Sequence, residues 1–85
     1  MNGVKIFCTA ACPFCERVKR ALDKRNIMYD AALMTEAASL TELRVAGVFT
    51  LSAPVLRVDD EYYTVDELFD GDNLRPLDDS GRPQR

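Results

Sequence analysis

The stretch from Val4 to Leu22, VKIFCTAACPFCERVKRAL, changes character in its middle. Val4-Lys5-Ile6-Phe7-Cys8 is short, apolar and β-favouring, which reads as a buried strand. From Phe14 to about Arg25 the apolar positions Val18, Ala21 and Leu22 recur at helical spacing, and Glu16, Lys19, Arg20, Asp23 and Lys24 fall on the opposite, water-facing side. Pro13 suits the first position of that helix, where its missing N–H would have had no partner. Cys12-Pro13-Phe14-Cys15 therefore stands at a strand-to-helix junction.

Outward from that junction, Asn26 can end the helix and Ile27 to Leu33 reads as a second strand. Thr35 to about Ala46 reads as a second helix, with Thr35 as its cap, Gly47 just past its end, and Leu40 and Leu43 turned inward. Pro54 opens the apolar run Val55-Leu56-Arg57-Val58, Asp59-Asp60 makes a turn, and Glu61-Tyr62-Tyr63-Thr64 returns as the second strand of a hairpin. Tyr62 and Tyr63 point to opposite faces, one to the core and one to the surface. Asp66 can cap a short last helix through Leu68 and Phe69, punctuated by Gly71. The expected fold is α/β: a four-stranded mixed sheet flanked by three helices, with parallel pairing from two strand–helix–strand crossovers and an antiparallel edge from the hairpin. Residues 1–75 form the domain. Residues 76–85, PLDDSGRPQR, hold one apolar residue and two prolines and are expected to be a disordered tail.

Composition narrows the function. The chain has 85 residues, 11 basic and 14 acidic, for a formal charge of −3. That is room for one domain with a thin core. A mildly acidic chain is a poor polyanion binder, so nucleic acid is not expected as a partner. No apolar run approaches a membrane span, and no basic region followed by an apolar stretch marks the start for export, so the expected setting is the cytoplasm. Histidine is absent, which removes every mechanism that needs an imidazole. The three cysteines, Cys8, Cys12 and Cys15, all lie within the first 15 residues. A secreted disulfide scaffold would spread an even number along the chain; clustered thiols point to redox chemistry or metal binding.

The spacing of Cys12 and Cys15 has a physical use. Residues three apart on a helical turn share a face, so the two sulfurs can bond with little backbone motion. Cys12 lies where the first helical N–H groups are unpartnered, and those dipoles stabilise a thiolate, the attacking species in disulfide exchange. Cys15, one turn inward, is placed to displace a product from Cys12. Arg17, Lys19 and Arg20 add positive field, offset in part by Glu16. The competing reading is a metal module: a dimer sharing zinc or an iron–sulfur cluster through Cys8, Cys12 and Cys15, since a closed zinc site needs four ligands and one chain offers three thiols and no histidine. Cys8 by itself reads as a small buried residue closing the first strand.

With its CPFC motif after an apolar strand, and Ser52-Ala53-Pro54 opening the third strand, residues 3–75 resemble the glutaredoxins and the wider thioredoxin-like family. CPFC differs from the usual glutaredoxin CPYC by the hydroxyl missing from Phe14. Ser-Ala-Pro looks like the Thr-Val-Pro element of that family, whose proline is cis. The resemblance implies a monomeric dithiol thiol–disulfide oxidoreductase, with Cys12 as nucleophile and Cys15 as resolving thiol. Pro13, Phe14, Ala53, Pro54, Val65 and Asp66 would line the substrate site, with Ala53 pairing to the backbone of an extended partner. No cofactor is implied as tightly bound; glutathione or another low-molecular-weight thiol would serve as reductant, and protein disulfides as substrates. Two departures bear on the electron source. Glutathione-using glutaredoxins usually carry Gly-Gly before the last helix and a Lys before the first cysteine; here Thr64-Val65-Asp66 and Thr9 stand there. Small redoxins that donate electrons to ribonucleotide reductase, and draw them from a thioredoxin reductase, also lack the Gly-Gly element.

Overall fold

The computed structural model describes residues 3–10, 12–49 and 52–84. In chain order the elements are β1 (Val4–Cys8), α1 (Pro13–Lys24), β2 (Tyr29–Leu33), α2 (Ala37–Val45), β3 (Val55–Val58), β4 (Glu61–Tyr63), α3 (Val65–Leu68), β5 (Phe69–Asp70) and β6 (Asn73–Leu74). The expected four-stranded mixed sheet is present, in the order β2-β1-β3-β4, with three helices around it. β1 is central, parallel to β2 on one side and antiparallel to β3 on the other. Parallel pairing was expected from both crossovers, and only the first delivers it. Val55 lies opposite Phe7, so the chain enters β3 at the end of the sheet where β1 finishes. The short helix α2 and the segment 46–54 behind it have returned the chain to that end before β3 begins.

Alternation along β1 and β3 builds a core on each face of the sheet. Ile6, Cys8, Leu56 and Val58 point to one face and meet Cys15, Val18 and Leu22 of α1, Leu68 of α3, and Phe69. Phe7 and Val55 point to the other and meet Leu43 of α2 and Met34. Neither adjacent tyrosine is a surface residue: Tyr63 packs against the first core and Tyr62 against the second. α1 ends in a Schellman arrangement: Asn26 adopts φ 56°, its N–H donates to the Asp23 carbonyl, and the Ile27 N–H donates to the Leu22 carbonyl.

α2 starts and faces differently from the sequence reading. Its N-cap is Glu36, not Thr35, and Leu40 is 40% exposed while Ser39 and Leu43 are buried. What holds this weakly apolar helix is polar. Glu42 accepts hydrogen bonds from Lys5 Nζ of β1 at 2.9 Å, Arg57 Nη1 of β3 at 2.7 Å and the Tyr62 hydroxyl of β4 at 2.9 Å. Burial alone would push the Glu42 carboxyl up; the hydrogen bonds from Lys5, Tyr62 and Arg57 outweigh it and hold the group below its usual range.

The stretch from Pro76, expected to be disordered, is part of the fold. Leu77 is buried and forms a bridge with Pro83. Arg82 pairs with Asp59 and Glu61 of the β3–β4 hairpin, and Arg25 with Asp79. Gly81 sits at φ 96° against the core, where an added Cβ would lie 3.3 Å from Leu22 Cδ2. One apolar side chain and one glycine suffice because they close the floor left open by Val4, Leu22 and Ile27. The sheet's lower edge is thus sealed by residues whose composition reads as a linker.

Two outcomes follow. Leu77→Ala should lower unfolding free energy by about 2–4 kcal/mol, and Gly81→Ala by about 1–2 kcal/mol, both read from urea titrations; a disordered tail would leave the midpoint unmoved. Glu42→Gln should cost about 1–3 kcal/mol at neutral pH. Because the folded carboxyl is depressed, its contribution is fully present above the usual value of 4.5 and fades as pH falls below it. The gap in stability between native chain and variant should therefore narrow on acidification.

Candidate active site

The two cysteines of the motif sit in unlike surroundings. Cys12 is the N-cap of α1, with extended backbone, and Pro13 follows inside the first turn. Its sulfur accepts a hydrogen bond from the Cys15 backbone N–H at 3.4 Å and lies 3.7 Å from the Ala53 carbonyl oxygen, to which its thiol donates. Cys12 is half-buried; Cys15 is buried at 1% exposure within the α1 face of the core. Burial, the Cys12 hydrogen bond and the neighbouring Cys8 sulfur push the Cys15 thiol well above the ordinary thiol range, against a smaller opposing effect of the Thr9 backbone. One sulfur thus stands at an N–H-rich, partly open position, and the other is kept as a protonated thiol one turn below it.

The structure brings Ala53 and the thiol pair together from distant parts of the chain. The Ala53–Pro54 peptide is cis, Pro54 is fully buried, and the Ala53 backbone reaches the Cys12 sulfur. Phe14 lies between the cysteines with its ring tilted at 40° on Phe69, centroids 4.5 Å apart. Val65 packs against the core that holds Cys15, while Asp66 is exposed and lines a cleft of about 230 Å³ with Tyr63, Glu67, Arg75 and Pro83. Asp66 is not the cap of α3. Thr64 is, and the Glu67 carboxylate folds back to accept the Thr64 backbone N–H at 3.1 Å and its hydroxyl at 3.3 Å.

Cys8 closes β1 at 4% exposure, in the same core as Cys15. Among the described residues no group of three or more Cys, Asp or Glu side chains is placed to hold a metal ion, so a shared metal would draw ligands from a second chain. Among the described residues, too, no helix is long and apolar enough to cross a membrane. The sequence reading treated Arg17 only as a source of positive field. Its guanidinium lies 5.9 Å from the Phe14 ring centroid and 5.3 Å from that of Phe69, and its Nη1 donates to the Asp72 carbonyl. The i, i+3 spacing of Phe14 and Arg17 on a helix was the available signal for that contact.

Burial ranks the three thiols. In the reduced native chain, iodoacetamide should modify Cys12 first, with Cys15 and Cys8 protected until denaturation. Mass spectrometry of digests should show that selectivity persisting to about pH 9, where an ordinary thiol of pKa near 8.5 is already mostly ionised.

Residues 4–63 match the glutaredoxin family model. No curated protein matches the chain. Among solved structures, it is similar to the NrdH-redoxin of Escherichia coli, described as a glutaredoxin-like protein with a thioredoxin-like activity profile. The TM-score is 0.59 at 21% identity, covering 72% of this chain and 79% of that one. It is also similar to glutaredoxin 1 of Francisella tularensis, with a TM-score of 0.52 at 26% identity over 69% of this chain and 77% of that one. The family match, spanning β1 to β4 and the thiol motif between them, settles membership: the chain belongs to the glutaredoxin family, a thioredoxin-like group of thiol–disulfide oxidoreductases.

Proposed function

We propose that the protein reduces disulfides by a two-thiol mechanism on Cys12 and Cys15. The observation that carries this reading is the division between the sulfurs: Cys12 at the α1 N-terminus, half-buried and bonded by the Cys15 N–H, above a buried Cys15 held as a thiol. In the first step the Cys12 thiolate attacks one sulfur of a substrate disulfide. A Cys12–substrate bond forms, the substrate S–S bond breaks, and one substrate thiolate leaves. The Cys15 sulfur then gives up its proton and attacks Cys12 Sγ. The Cys12–Cys15 disulfide forms and the second substrate thiolate leaves, taking up a proton. Two electrons have passed to the substrate, and an external dithiol or thiol restores the pair. The Ala53 carbonyl, beside Cys12, would orient the partner's backbone, with Pro13, Phe14 and Pro54 forming the contact surface around the sulfurs.

One observation favours a protein reductase over glutathione as the electron source. The start of α3, where glutathione-using relatives carry Gly-Gly, is here Thr64-Val65-Asp66. The Thr64 N–H is already taken by the Glu67 carboxylate, and Asp66 adds a second exposed negative charge. A peptide carboxylate meets two anions there and no donor left by that residue. The thioredoxin-like activity profile described for the similar NrdH-redoxin agrees with this choice, and makes ribonucleotide reductase a candidate recipient of the electrons.

Matched turnover assays test both parts. A mixed disulfide or insulin is offered with glutathione and its reductase, or with a thioredoxin reductase and NADPH. Turnover is expected with the second source and not the first, and Cys12→Ser should abolish it. Cys15→Ser should accumulate a trapped Cys12 mixed disulfide. Retained reduction in Cys12→Ser would overturn the mechanism, whereas efficient turnover with glutathione would overturn only the choice of electron source.

A further inference from the structure

Arg17 is not needed to fold α1 and is exposed, yet it is tied on three sides. Its guanidinium stands over both aromatic rings, Phe14 and Phe69, and donates to the Asp72 carbonyl at the turn between β5 and β6. Phe14 is the residue between the two cysteines. Phe69 is buried and opens β5. The ring stack and the cation together fasten the Cys12–Cys15 turn to the β5–β6 hairpin, on the side away from Ala53, which contacts Cys12. An unclamped turn would let Phe14 and the two sulfurs wander relative to each other.

We infer that Arg17 is a positioning residue for the resolving step: through Phe14 it holds Cys12 and Cys15 at a separation from which they bond. This rests on the two-thiol reading above. The physical argument is one of effective concentration. An intramolecular disulfide forms against an external thiol in proportion to how often the two sulfurs meet in the right geometry. A cation shared between two rings and a carbonyl restricts that geometry in the reduced state, so losing it lowers the local concentration of Cys15 at Cys12. Charge alone does not account for such an effect, because a lysine keeps the charge and loses the planar fork that spans two rings and a carbonyl.

The reaction to measure is protein dithiol plus oxidised dithiothreitol giving protein disulfide plus reduced dithiothreitol, in which one S–S bond forms as another breaks. For Arg17→Ala the equilibrium constant should fall about three- to tenfold, the range expected from losing an exposed cation–π contact and its tethering. The Cys12 mixed disulfide should live correspondingly longer. Arg17→Lys should not restore the constant, and Phe69→Leu should lower it without adding fully to Arg17→Ala in the double variant. Circular dichroism and urea midpoints confirm that each variant is folded; Phe69→Leu serves where Arg17→Ala is not. An unchanged constant in folded Arg17→Ala overturns the inference, as does full rescue by Arg17→Lys, which would assign the effect to charge. If the native chain forms no Cys12–Cys15 disulfide at all, the two-thiol reading itself falls, and that result is distinct from either.

Discussion

A single carboxylate fastens the second helix to the sheet. α2 turns only Ser39 and Leu43 fully inward, and one buried leucine contributes about 2 kcal/mol, too little to fix a helix of nine residues. Glu42 supplies the remainder by collecting donors from three strands, Lys5 of β1, Arg57 of β3 and Tyr62 of β4. The same cluster is backed by apolar contact: Lys5 Nζ stands 4.9 Å from the Phe7 ring, and Phe7 lies 6.4 Å from Tyr62. α2 leads into the segment that ends at Ala53 and Pro54. The placement of the Ala53 carbonyl beside Cys12 therefore depends on a polar clamp on the opposite face of the sheet. A chain of this size has too little apolar area to hold every element by burial, and a partly buried ion network serves where the core is thin.

The other face does the chemical work by exclusion of water. Ile6, Cys8, Leu56 and Val58 form a floor on which α1 lays Cys15, Val18 and Leu22. That floor is what separates the two thiols. Cys15 is one helical turn from Cys12, yet the turn carries it from a half-open position to a dry one, and burial penalises its charged form. The sequence spacing puts both sulfurs on one side of α1; the sheet beneath converts that spacing into a difference in chemistry.

The strand-to-helix junction was legible because its signals are local. A β-favouring run, a proline at the first helical position and a 3.6-residue period each depend on nearby residues only, and β1 and α1 lie where that pattern puts them. What could not be read depends on residues far apart in sequence. Leu40 and Leu43 both look inward on periodicity, but the orientation of α2 is set by Glu42 reaching strands 15 and 37 positions away at Arg57 and Lys5, and that turns Leu40 outward. The direction of β3 was misjudged because periodicity carries no information about where a connection ends. The tail looked disordered because composition counts apolar residues without asking where they land: Leu77 and Gly81 fill a gap between Val4, Leu22 and Ile27 that no local reading reveals. The cap of α3 was assigned to Asp66 by residue type; Thr64 takes it because Glu67, three residues on, completes a capping box.

Phe14 shows how the site and the scaffold share a residue. By its position between two cysteines it belongs to the contact surface of the thiols, and its missing hydroxyl was the one difference from the tyrosine usual there. In the fold its ring is held at 4.5 Å on Phe69 and under Arg17, so it is half-buried rather than presented whole to solvent. A phenol would need a partner for its hydroxyl wherever it met the stack, whereas a plain ring meets Phe69 and the guanidinium without that demand. The CPFC turn is consequently bracketed, by the Ala53 carbonyl at Cys12 on one side and by the ring stack at Phe14 on the other. Each bracket comes from a segment remote in sequence, one reached through α2 and one through α3. The short helices that contribute least to the core are thus the elements that set the geometry of the dithiol.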